Sequence, residues 1–120
     1  LNHSVLTHYE FAEPLLCMAE GSWNYPLGFK MSYTAVFEKG ALEYDSNRTP
    51  TLTLTRSGAQ APETLVVEPG DGYSREYDYF ISCLQRRQAP QRITPASARQ
   101  SIEIALAEAQ SMTSRKKICL

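Results

Sequence analysis

The sequence is short of the groups that usually carry chemistry. Its only histidines are His3 and His8. An odd spacing along an extended stretch points them to opposite faces, so they do not chelate one metal. Cys17, Cys83 and Cys119 form neither a C-x-x-C pair nor a zinc-ligand spacing. Each lies inside an apolar pattern, which reads as three reduced core thiols in a cytoplasmic protein. No apolar run is long enough to cross a bilayer, and no charged segment leads into one as in a signal peptide. Without a secretion signal, the sequons Asn2-His3-Ser4 and Asn47-Arg48-Thr49 read as chance.

Net charge is also scarce. The formal value is −1, which gives no whole-molecule attraction to nucleic acid. The charge is uneven, with −4 over residues 1–70 and +3 over residues 71–120. Much of the basic excess lies in Arg86-Arg87 and Arg115-Lys116-Lys117, each at the end of an expected helix. Cations there complement the helix dipole.

What is present is periodicity. Val5 to Phe11 and Leu15 to Glu20 read as two strands parted by Glu13-Pro14. Phe29, Met31, Tyr33, Ala35 and Phe37 share one side of a third strand, opposite Lys30, Ser32, Thr34 and Glu38, with Val36 the apolar exception. Glu38-Lys39-Gly40 turns the chain into Ala41–Tyr44, with Gly40 expected to supply a positive φ. "TLTLTRS" alternates again, and "ETLVVE" (Glu63–Glu68) is a sixth strand. Short links between successive strands predict a mainly antiparallel sheet.

From Asp71 the period becomes helical. Tyr73, Tyr77, Phe80, Ile81 and Leu84 line one face of a first helix, with Glu76 expected in its first turn. Thr94 caps a second helix with Pro95 at its first position. The inner stripe of this helix is Ala98, Ile102, Ala105, Leu106, Ala109 and Met112. "KICL" (Lys117–Leu120) closes the chain as a possible last strand. The expected fold is α+β: one domain over residues 1–120, with a mainly antiparallel sheet of about six or seven strands and two helices packed on one face. The other face is then partly open and apolar in part, as a partner surface is.

Three stretches mimic chemistry. Gly70-x-Gly72 before a helix looks like a dinucleotide-binding turn, but Arg75 stands where the third small residue belongs. Lys39 sits at a hairpin tip, where a lysine stays solvated and is no buried proton donor. The Ser, Asp and His residues form no acid–base–nucleophile series. No catalytic constellation is legible.

The ordered landmarks "AEGSW", "FKMSYTAVFEKGALEYD" and "YSREYDYFISCLQRRQAPQRITPASARQSIEIALAEAQSM" resemble the C-terminal half of the Gfo/Idh/MocA oxidoreductases over nearly all of the chain. The sharpest parts are the E-G-x-W strand end, Glu76-x-x-x-Phe80 followed by Thr94-Pro95, and the small-residue face of "SARQSIEIALAEAQSM". The resemblance implies an NAD(P)-dependent parent enzyme acting on a sugar, inositol or similar polyol. It also implies that the Rossmann domain, the NAD or NADP site and the usual catalytic lysine, aspartate and histidine lie outside this chain. A chain that starts at leucine and enters strand-like sequence at once fits that expectation of a fragment. This portion would then hold no catalytic, cofactor or metal residue, and would be inactive alone. Its expected roles are substrate contact through Trp23, Tyr25 and Phe29, and homo-oligomer formation, a dimer, through the open sheet face. No nucleic-acid or membrane partner is expected. The alternative reading is a stand-alone, non-enzymatic binding or dimerisation module.

Overall fold

The computed structural model describes residues 3–26, 28–68 and 70–120. It divides into two compact units, residues 1–69 and 70–120. The first unit carries six strands and the second two helices. The fold is α+β with antiparallel pairing throughout, but the strands form two sheets, not the single sheet expected from the sequence.

The smaller sheet is a ribbon of β1 (Ser4–Glu10) and β2 (Leu16–Ser22), paired from Ser4↔Ser22 to Glu10↔Leu16. Val5, Thr7, Tyr9 and Cys17 are half-buried on one face, while Leu6, His8, Leu16 and Met18 are exposed on the other.

The larger sheet has the order β3-β4-β5-β6, with β3 (Ser32–Phe37), β4 (Gly40–Asp45), β5 (Leu52–Arg56) and β6 (Glu63–Thr64). Its register sorts the side chains cleanly. Tyr33, Ala35, Phe37, Leu42, Tyr44, Leu52 and Leu54 share one face. Ser32, Thr34, Val36, Ala41, Glu43, Asp45, Thr53 and Thr55 share the other. This is the period-two pattern of a sheet with one apolar face.

Three expected strands are corrected. The long strand begins at Ser32, not Phe29, because the backbone N–H and C=O of Met31 both bond to Ser46, at 2.9 Å each. Met31 and Ser46 are the next positions of the β3–β4 register, so these bonds carry the pairing one step past Ser32↔Asp45, with the Ser46 hydroxyl in place of a backbone acceptor. The sixth strand covers only Glu63–Thr64. It runs antiparallel past the start of β5, and Leu65 N–H donates to Leu52 O at 3.0 Å as the ladder ends. Residues 117–120 form no strand. The left-handed Arg115 ends the preceding helix, and the Lys116 carbonyl accepts from Ser111 Oγ at 2.7 Å.

Gly40 has a firm steric reason. It pairs with Phe37 on one side and Arg56 on the other, at φ 158°. The positive φ expected from the sequence is present, at a nearly extended value. A Cβ there would collide with the Thr55 carbonyl oxygen. Glu38 and Lys39 form the exposed tip before it.

In the second unit, α1 (Gly72–Gln85) starts at Asp71, whose carboxylate accepts from Tyr73 N at 2.7 Å and Ser74 N at 3.3 Å. Asp71 thus takes the dipole role expected of Glu76, which falls in the second turn. α2 (Pro95–Ser114) is capped by Thr94 as expected, with a capping box: Ser97 N donates to Thr94 Oγ1 and Thr94 N donates to Ser97 Oγ, each at 3.0 Å. Arg86 and Arg115 cap the two C-termini. The stripe expected to pack α2 is exposed at Ala98, Ile102, Ala105, Leu106, Ala109 and Met112. Between the helices, Tyr79 Oη accepts from the N–H groups of Gln91 (2.6 Å) and Arg92 (3.0 Å). Cys83 is buried and Cys17 half-buried, but Cys119 is exposed and is not the core thiol expected.

Candidate functional site

The segment after β2 combines a fixed backbone with projecting rings. Ser22 and Ser4 bring their hydroxyls to 2.7 Å across the ribbon. Ser22 Oγ accepts from Asn24 N at 3.2 Å, and Trp23 N–H donates to His3 O at 2.8 Å. The Trp23 backbone is thereby tied to the ribbon while its side chain is 90% exposed. Phe29 is 81% exposed, and Tyr25 is the most covered of the three expected contacts. Leu27, between them, lies outside the described residues. Among the described residues the rings of Trp23, Tyr25 and Phe29 do not stack on one another; the stacked pair is Tyr33–Tyr44, at 5.4 Å. The sequence therefore names aromatics on one segment that do not form one closed aromatic box. Trp23 stands beyond the last ribbon pair, and no described residue covers its indole.

Tyr25 is the ring with a polar neighbour. Lys30 Nζ stands 6.0 Å from its centroid, at the outer range of a cation–π contact. The same nitrogen is 3.2 Å from Asp45 Oδ2, and Arg48 Nε reaches that oxygen from the other side, also at 3.2 Å. The other carboxylate oxygen, Oδ1, accepts from Asn47 N at 2.9 Å. Asp45 is the one buried charged residue among those described, at 8% exposure.

The local sequence explains this arrangement. Asp45-Ser46-Asn47 leaves β4 in an Asx turn, the fold-back that Asp favours because its side chain mimics a backbone acceptor. Arg48 N donates to Asp45 O at 3.2 Å and Asp45 N donates to Thr51 O at 2.9 Å, which closes the connection. Lys30 arrives with the parity of Ser32, Asp45's partner in the β3–β4 register, so its stem reaches the same face. The Asn47 N–H is the largest cause holding the Asp45 carboxyl below its ordinary value. Partial burial pushes the other way, and the Lys30 and Arg48 charges add to the lowering. Asp45 and Arg48 are functional candidates that the alternation argument passes over; the Asp-Ser-Asn turn was the available signal.

Chemically, the cluster offers two cations and a carboxylate beside an aromatic face, an arrangement that can hold a polar ligand. Among the described residues, no group of three or more His, Cys, Asp or Glu is placed to hold a metal ion. No described helix is long and apolar enough to cross a membrane. The Gly70–Gly72 turn is the approach to the Asp71 cap, and the side chain of Arg75 donates to the Gly70 carbonyl at 2.8 Å. No family model, curated protein or solved structure matches the chain.

Proposed function

We propose that this chain is the substrate-side and oligomerisation portion of an NAD(P)-dependent oxidoreductase acting on a sugar, inositol or similar polyol. The chain is catalytically incomplete by itself, and its NAD or NADP site belongs to a Rossmann domain outside these residues. The ordered resemblance of its sequence to Gfo/Idh/MocA oxidoreductases motivates the reading. The observation that supports it best is the tethered Trp23 backbone with its exposed indole, since an aromatic face is a suitable platform for a sugar ring. Oligomerisation rests on the apolar face of the larger sheet, where Tyr33 and Phe37 are both exposed.

The only tryptophan in the chain reports on its own site. Titration with D-glucose or myo-inositol, followed by Trp23 fluorescence, is expected to give a saturable change, and calorimetry is expected to show that Trp23→Phe weakens the same binding. Calorimetry with NAD(H) and NADP(H) is expected to show no binding to this chain. Micromolar cofactor binding would overturn the placement of the nicotinamide site. A chain that dimerises in sedimentation but binds no polyol would instead be a stand-alone dimerisation module.

A further inference from the structure

The cluster around Asp45 carries more positive charge than the carboxylate absorbs. Lys30 and Arg48 each bring one cation to a single Oδ2, so the two nitrogens lie no further apart than twice 3.2 Å. Arg48 uses its Nε in this pair, which leaves the two terminal amino groups of the guanidinium as donors in the planar fork that suits carboxylate and phosphate oxygens. Its side chain is 73% exposed. Lys30, a third exposed, faces the Tyr25 ring with the same ammonium that holds Asp45. The nearest acidic side chain on the same face of β4 is Glu43, one residue pair further along the strand, opposite Thr34 and Thr53.

We infer that the Lys30–Arg48 pair, pinned by Asp45 beside Tyr25, forms an anion subsite, so that the ligand of this surface is a polyol bearing a carboxylate or phosphate group. The inference rests on the proposed polyol-binding function and narrows its substrate class. Asp45 acts as a positioning residue: it fixes the directions of both cations and takes no contact with the ligand. The buried carboxylate thereby serves to pre-arrange two donors that would otherwise be mobile surface side chains. The Tyr25 face supplies the apolar contact to the ring carbons.

The test compares five probes on the 120-residue chain: D-glucuronate, glucose 6-phosphate, D-glucose, myo-inositol and inorganic phosphate. Binding is followed by Trp23 fluorescence and by the amide resonances of Lys30, Asp45, Asn47 and Arg48. At least one charged sugar is expected to bind about tenfold more tightly than the neutral polyols and than inorganic phosphate. Glucuronate and glucose 6-phosphate separate a carboxylate ligand from a phosphate ligand. Arg48→Gln is expected to remove that advantage, and Arg48→Lys to restore part of it. The circular dichroism of each variant is compared with that of the parent chain, since Arg48 is exposed but pairs with the buried Asp45. Equal affinity for charged and neutral polyols would overturn the anion subsite and leave the proposed function standing. Inorganic phosphate binding as tightly as glucose 6-phosphate would overturn the polyol assignment of the ligand. Failure of all five probes would overturn both.

Discussion

Lys30 and Asp45 are joined across the start of the larger sheet, with Nζ 3.2 Å from Oδ2, although they lie in different segments. The join fastens the stretch carrying Tyr25 and Phe29 to the β4–β5 connection. It acts together with two bonds at the neighbouring Met31, whose N–H donates to Ser46 Oγ and whose carbonyl accepts from Ser46 N. A charge pair and a backbone clamp at adjacent positions hold one side of the candidate site.

The pH dependence of this fastening follows from the sign of the shift. The Asp45 carboxyl lies below its ordinary value of 3.8 in the folded chain, and the Asp71 carboxyl is also lowered, chiefly by the Ser74 hydroxyl and the Tyr73 and Ser74 N–H groups. Their stabilising contribution is therefore complete above the ordinary carboxylate range and is lost as pH falls through the folded values, below about pH 4. Urea unfolding between about pH 6 and pH 2 is expected to show stability dropping at the acid end. Asp45→Asn is expected to make that drop shallower, and an unchanged acid limb would remove Asp45 from the account.

Gly40→Ala is expected to destabilise the first unit by about 2 kcal/mol. The added methyl meets a backbone carbonyl of β5, not a side chain that could rotate away. The measure is the urea midpoint, and a change within about 0.5 kcal/mol would show that β5 can move aside.

Thr94→Ala is expected to cost about 1 kcal/mol, because the hydroxyl accepts the Ser97 N–H at the start of α2. Circular dichroism during thermal unfolding measures it. Ser97→Ala is expected to lose less, since it removes the reciprocal acceptor and leaves the Thr94 cap in place.

Trp23→Ala is expected to change stability by no more than about 0.5 kcal/mol, as for a surface substitution. A loss of about 3 kcal/mol or more, the usual cost of truncating a buried aromatic, would place the indole in a core. In a complete enzyme containing this portion, the same substitution is expected to raise KM with little effect on kcat.

The strands were legible where side chains alternate. Ser32–Phe37 and Leu52–Arg56 stand within the segments that period two marks out, because one apolar face dictates that pattern, and Gly40–Asp45 extends the expected return strand Ala41–Tyr44 by one residue at each end. Thr94-Pro95 likewise announced the start of α2. The partition into two sheets was not legible, because strand-to-strand pairing leaves no mark on composition. The Asp45 cluster lay hidden for a related reason. Lys30 reads as an ordinary polar-face residue until the register sets Ser32 opposite Asp45.

The sorted faces of the larger sheet also act as an error check during folding. Sliding β5 by one residue against β4 would turn Leu52 and Leu54 over to the side of Glu43 and Asp45, and would drive the threonines among Tyr33, Leu42 and Tyr44. Every side chain of the strand would report the mistake at once. Mispairing in this sheet is therefore an all-or-none fault, which the chain can reject as a unit.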